Sequence, residues 1–205
     1  MNPTTFHQNT YMVVAPLAFV VFLVGLVLTL LTTPPSWDLA KENLSNLAGE
    51  TSLLTGILFT ITCVLAGIMI VYFGLGKVLY EEGLDNVSGV LFVISGVSLV
   101  FVGLFNTNVY RMHMIVTLFF TFMVVFAIVG ASLADILNGD RVMLVIHLLT
   151  LFLVLFQIPF FTGGAAELMS IIFGALWAEC QLIKYYRRGI PVIADDQVSD
   201  DSQAE

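Results

Sequence analysis

The chain has 205 residues, of which 59% are hydrophobic and 11% charged, and its formal net charge is -8. A mean hydropathy of +0.98 excludes an ordinary soluble domain. Hydrocarbon offers the backbone no hydrogen-bonding partner, so a crossing segment must be a helix or part of a closed barrel, and long runs without alternation favour helices. We predict an all-α polytopic membrane protein that has no nucleic acid as a partner.

Six apolar runs approach the length of roughly 20 residues that a helix needs to cross about 30 Å of hydrocarbon. The first run has no Lys or Arg before it and no small-residue cleavage site after it, so we interpret it as a span rather than a signal peptide. Residues 1–190 are therefore expected to form a six-helix transmembrane domain, and the acidic residues 191–205 a disordered cytoplasmic tail. The predicted spans are Tyr11–Leu31, Leu53–Leu75, Val87–Phe105, Met112–Ala134, Val142–Phe161 and Ala165–Ile183.

The connection after the first span shows a helical pattern of its own. Pro34-Pro35 ends the first span, Ser36 can cap a new helix, and Gly49 can end it. Apolar residues at steps of three and four predict a short amphipathic helix that lies at the outer interface or folds over the bundle as a lid. An irregular loop is the alternative. The apolar residues are Trp37, Ala40, Leu44, Leu47 and Ala48.

In the third span Gly89, Gly96 and Gly103 recur every seven residues, so one stripe of this helix is small. Small residues let two helix backbones approach closely in lipid. The stripe predicts a packing seam rather than a ligand groove.

The distribution of basic residues predicts the orientation. With six spans, both termini share a side with five of the seven Lys and Arg, and only Lys41 and Arg111 lie on the other side. Because Lys and Arg favour the cytoplasm, both termini are predicted to be cytoplasmic and the protein to be integral to the plasma membrane. The five are Lys77, Arg141, Lys184, Arg187 and Arg188.

This orientation gathers polar residues from three connections on the outer face, whereas the inner connections are expected to be plain turns. Arg111 is suited to a phosphate, and His113 and the asparagines to its oxygens. We predict a non-catalytic protein whose outer polar cluster binds a lipid headgroup or a partner subunit, which includes a second copy of the chain. The alternative is that Arg111 and His113 merely lie at headgroup level. The predicted cluster is Asn43, Ser45, Asn46, Glu50, Asn106, Arg111, His113 and Glu167.

Two motifs of the outer face resemble those of a known family. The run ENLSNLAG, from Glu42 to Gly49, is similar to the motif Asn-x-hydrophobic-Ser-x-Leu-Gly. Gly103-Leu104-Phe105 with His113 is similar to a Gly-x-Phe-Pro link and histidine, although Asn106 stands in place of the proline. These motifs are typical of the multi-pass family called domain of unknown function 998, which is loosely similar to the Frag1, DRAM and Sfk1 membrane proteins. The resemblance covers about residues 36–135 and implies a membrane fold without an assigned chemistry. The matching motif positions are Ser45, Asn46, Gly49 and His113.

Other chemistries fit the residues less well. His113 and His147 would lie at depths roughly 25 Å apart, so they cannot hold one heme, and no cofactor is expected. We expect His147 to hydrogen-bond within the bundle or to line a small inner cavity. Zinc chemistry needs more converging ligands, and serine chemistry a nucleophile elbow, so no catalytic or metal residue is predicted. A membrane-embedded lipid-modifying hydrolase and a small-solute transporter stay open as alternatives.

Overall fold

The computed structural model describes residues 3–49, 52–105, 109–156 and 160–188, with side chains from Thr10 to Lys184 within these ranges. The predicted all-α class is confirmed in this part of the chain. The acidic segment 191–205 lies outside the described residues. The helices are α1 (Pro3–Leu31), α2 (Leu53–Tyr80), α3 (Gly83–Leu104), α4 (Tyr110–Leu137), α5 (Arg141–Phe156) and α6 (Gly163–Arg188).

Five of the described helices are long and apolar enough to cross a membrane, namely α1, α2, α3, α4 and α6. Helix α5 has 16 described residues, which give about 24 Å where about 30 Å are needed. The predicted fifth span continued to Phe161, and residues 157–159 of that span lie outside the described residues. The helices are those of a multi-pass membrane protein, and the sixth crossing stays a prediction.

The predicted glycine seam of α3 is confirmed, and its partner is α2. A Cβ at Gly96 would lie 2.7 Å from the carbonyl oxygen of Gly67, and a Cβ at Gly89 would lie 2.9 Å from that of Gly74. At Gly103, a Cβ would lie 3.1 Å from the Thr60 carbonyl oxygen. The two antiparallel helices therefore pack directly backbone to backbone. Because backbone atoms cannot move aside as a side chain can, a larger residue at these positions would force the helices apart.

The predicted amphipathic helix between the first two spans is shorter than expected. Only Leu44–Ala48 is helical, as a single 3-10 helix, and residues 32–43 form turns and bends. The Asp38 carboxylate accepts the backbone N–H of Ala40 at 3.0 Å, and such a local bond competes with a helix. The adjoining Pro34-Pro35 has no backbone N–H to donate.

The apolar residues of this connection are nevertheless buried as the pattern requires. Leu44 and Leu47 are 3% and 0% exposed, and they pack with Leu26 of α1 and Phe59 of α2 in one apolar cluster. Trp37 lies half-buried against the same cluster. The connection therefore folds over the end of the bundle where α1 ends and α2 begins. We call this the outer end and the opposite one the inner end, after the predicted orientation.

Candidate functional site

The outer connection is fastened to the start of α6 by reciprocal hydrogen bonds. The backbone N–H groups of Gly164 and Ala165 donate to the carbonyl oxygens of Glu42 and Leu39 at 2.6 and 3.0 Å. In return, the Glu167 carboxylate accepts the backbone N–H of Leu44 at 2.7 Å. The first N–H groups of a helix have no partner within it, so each segment satisfies the free end of the other. We call residues 39–44 together with residues 163–167 the outer clasp.

Two glycines permit this close approach. Gly163 has a φ of +56°, a backbone conformation that residues with a side chain rarely adopt. A Cβ at Gly164 would lie 2.9 Å from the Glu42 carbonyl oxygen. Any larger residue at either position would push the connection away from α6.

His113, near the start of α4, forms a hydrogen bond with the residue that follows α3. The ring is 2% exposed, and its Nδ1 lies 2.6 Å from the carbonyl oxygen of Phe105. A carbonyl can only accept, so Nδ1 carries the proton and donates. Phe105 directly follows α3. His113 therefore stabilises the end of that helix.

Arg111 and Asn43 differ from Glu167 and His113 because their side chains are exposed. Arg111 lies in the first turn of α4 beside Tyr110, which is 67% exposed. Within the described ranges its guanidinium has no hydrogen-bond or ion-pair partner. Arg111 is thus an exposed cation at the start of α4.

The structure brings together only part of the predicted cluster. Glu167 contacts the 3-10 helix that carries the half-buried Ser45 and Asn46 and that begins after Asn43. None of the hydrogen bonds among the described residues connects this group with Arg111 or His113. The two remaining members, Glu50 and Asn106, lie outside the described residues.

A second polar cluster, which the sequence patterns did not predict, lies about one turn inside the opposite end of the bundle. Lys77 Nζ lies 2.7 Å from Glu81 Oε2 and 3.2 Å from Asp85 Oδ1. Lys184 Nζ lies 3.2 Å from the same Asp85 oxygen and 2.8 Å from Asp135 Oδ1. The two ammonium groups and three carboxylates alternate in the order Glu81, Lys77, Asp85, Lys184 and Asp135. The connections at this end are short, as expected, and all of these residues except Glu81 lie on the helices beside them.

His147 extends this line beyond Asp135. Its Nε2 lies 2.7 Å from Asp135 Oδ2, and Trp177 Nε1 lies 2.7 Å from its Nδ1. An indole nitrogen can only donate, so Nδ1 accepts and the proton of a neutral imidazole is on Nε2, facing Asp135. Trp177 thereby selects the tautomer, and the prediction that His147 hydrogen-bonds within the bundle is confirmed.

All six helices contribute to this connected set, which we call the inner charge chain. Tyr11 of α1 completes it by donating its hydroxyl to Glu81 at 3.2 Å. Asp135 and His147 are 0% exposed, and each lysine is 1% exposed. Buried charges are tolerated when they are paired and hydrogen-bonded. The chain consists of Tyr11, Lys77, Glu81, Asp85, Asp135, His147, Trp177 and Lys184.

Both clusters therefore belong to a helical, multi-pass membrane protein with a fastened outer connection and an ion-paired inner end. The chain matches the model of the family described as Protein of unknown function (DUF998) over residues 12–180, and it belongs to that family. The predicted family is thus confirmed, and the match extends well beyond residues 36–135. No curated protein and no solved structure matches the chain. Among the described residues, no group of three or more His, Cys, Asp or Glu side chains is placed to hold a metal ion.

Proposed function

We propose that this protein is a non-catalytic membrane protein whose outer face binds an anionic lipid headgroup through Arg111. The supporting observation is the contrast within the predicted cluster. Glu167 and His113 are used in internal hydrogen bonds, whereas the exposed guanidinium of Arg111 has no partner in the described part of the chain. In this proposal the protein lies in the plasma membrane with both termini in the cytoplasm.

The chemistry of this surface suits a phosphate. A guanidinium is planar and donates two parallel hydrogen bonds to phosphate oxygens. The exposed ring of Tyr110 is of the type that lies at membrane interfaces. His113 joins the start of α4, which carries Arg111, to the end of α3, and the outer clasp holds the connection that carries the exposed Asn43 amide. These residues position the surface, and Arg111 makes the contact.

The test is native mass spectrometry of the protein reconstituted with phosphatidylglycerol and phosphatidylcholine. Losing a charged hydrogen bond costs about 1.5–3 kcal/mol, so Arg111→Ala should retain the anionic lipid about ten- to hundredfold less well. Arg111→Lys should be intermediate. Arg141→Ala is the matched control, because Arg141 is an exposed arginine that begins α5 at the other end of the bundle.

Equal retention of phosphatidylglycerol by the parent and Arg111→Ala would reject the headgroup site. If the parent instead carries a second protein chain that Arg111→Ala loses, the outer face binds a partner subunit or a second copy.

A small-solute transporter is the second candidate, and the inner charge chain favours it. Ionisable residues inside transmembrane helices are costly and often mark ion or substrate pathways. Transient currents from proteoliposomes challenged with small ionic solutes would support this function if the isosteric variant Glu81→Gln, in which Lys77 keeps Asp85 as its partner, loses them. Absence of currents from the parent under all solutes would remove the candidate.

A further inference from the structure

Gln181 lies on the face of α6 that points into the inner charge chain. Trp177, four residues earlier, donates to His147, and Lys184, three residues later, pairs with Asp135. Residues at these spacings share one side of a helix. Gln181 is 1% exposed, as buried as Lys184 itself.

The carboxamide of Gln181 has no hydrogen-bond partner on either atom among the described residues. It offers two N–H donors on Nε2 and an acceptor on Oε1. Burying such groups without partners is costly, and in proteins they are regularly satisfied by internal water. The position next to a polar network, rather than in an apolar core, favours the same explanation.

We propose that Gln181 holds a bound water molecule that exchanges with the inner aqueous phase at the edge of the inner charge chain. Water is the smallest ligand that can accept from Nε2 and donate to Oε1 at once. An ion fits less well because the deepest charges, two lysines and two aspartates, cancel and pair with each other. The ligand class is therefore a small uncharged molecule with both a donor and an acceptor. This site is independent of the outer lipid site.

Nuclear magnetic resonance of the unchanged side chain tests the water directly. In protein labelled with nitrogen-15 at glutamine and tryptophan, we expect a nuclear Overhauser effect between water and the Nε2 protons of Gln181, because the bound water accepts a hydrogen bond from Nε2. The Nε1 proton of Trp177, which lies one turn earlier on α6 and is donated to His147 at 2.7 Å, is the control and should show no such effect. Absence of the effect at Gln181 would overturn the proposal.

A stability measurement gives an independent answer whose sign decides the question. If the site were empty, Gln181→Leu would remove two unpaired polar atoms, and the melting temperature in detergent would rise. If a water is bound, the same change removes its partners and the melting temperature falls. We expect a fall of a few degrees, and a raised or unchanged value would overturn the proposal.

Discussion

The Glu167 carboxylate, four residues after the start of α6, lies 2.7 Å from the backbone nitrogen of Leu44, which precedes it by 123 residues. This bond joins the connection after the first helix to the start of the last one. Because the connection itself carries the buried side chains of Leu44 and Leu47, the apolar cluster that they form with Leu26 and Phe59 depends on the connection staying in place.

Replacing Glu167 by Ala should loosen the outer clasp. A hydrogen bond to a charged group contributes about 1.5–3 kcal/mol, and Leu44 would lose its acceptor. For Glu167→Ala we expect faster proteolysis within residues 32–43 and a lower melting temperature than in the parent. Glu167→Gln should give values between those of Glu167→Ala and the parent. Glu179→Ala is the control, since Glu179 is exposed on the same helix. Equal proteolysis rates for Glu167→Ala and Glu179→Ala would contradict this role.

Sequence patterns could predict which residues share the outer end, because the order of the spans alone places Glu167 and the residues around Asn43 on one face. They could not predict where each side chain is directed. Whether a carboxylate at a helix start faces a ligand or a backbone N–H depends on the path of a connection that is mostly turns. The same limit applies to His113, whose partner is a main-chain carbonyl.

The sequence patterns do not predict the inner charge chain, for a different reason. Lys77, Asp85, Asp135 and Lys184 each lie near the end of a helix, where a charged residue usually reaches water. A single sequence gives no signal that distinguishes such a residue from one paired across helices. The seven-residue glycine stripe, in contrast, is visible along one helix, and its role as a seam was therefore predictable.

Asp135→Asn should be strongly destabilising. The substitution removes the charge that pairs with Lys184 and the acceptor that orients His147. Removing one partner of a buried ion pair typically costs about 3–5 kcal/mol, because the other charge stays buried and uncompensated. The readout is the melting temperature in detergent. Glu82→Gln, an exposed acidic residue at the same end, should change it little, and similar effects of the two variants would mean that the chain is not a stabilising unit.

Gly96→Leu should separate α2 from α3. Even a Cβ at this position would lie 2.7 Å from the Gly67 carbonyl oxygen, so the backbones must move apart and the adjoining contacts are lost. Overpacking of tight interiors typically costs about 1–3 kcal/mol. Val97→Leu is the control at the next position, where the side chain is 43% exposed. Gly96→Leu should lower the melting temperature, and Val97→Leu should leave it near that of the parent.

Both termini are expected to be cytoplasmic, and the structure changes the count of basic residues on which this expectation rests. Lys77 and Lys184 are buried in ion pairs. The comparison between the two ends is therefore between Arg141, Arg187 and Arg188 on the side of the termini and two residues, Lys41 and Arg111, on the other. Lys41 is exposed and paired with Asp38 at 2.8 Å, but acidic residues contribute little to the orientation rule. The majority is smaller than the sequence suggested, and its direction is unchanged. Single cysteines in a Cys63→Ala, Cys180→Ala background can decide it: an impermeant maleimide should label Asn43→Cys in intact cells and Ser202→Cys only after lysis. The reverse pattern would place the outer clasp and Arg111 in the cytoplasm and the inner charge chain at the external face.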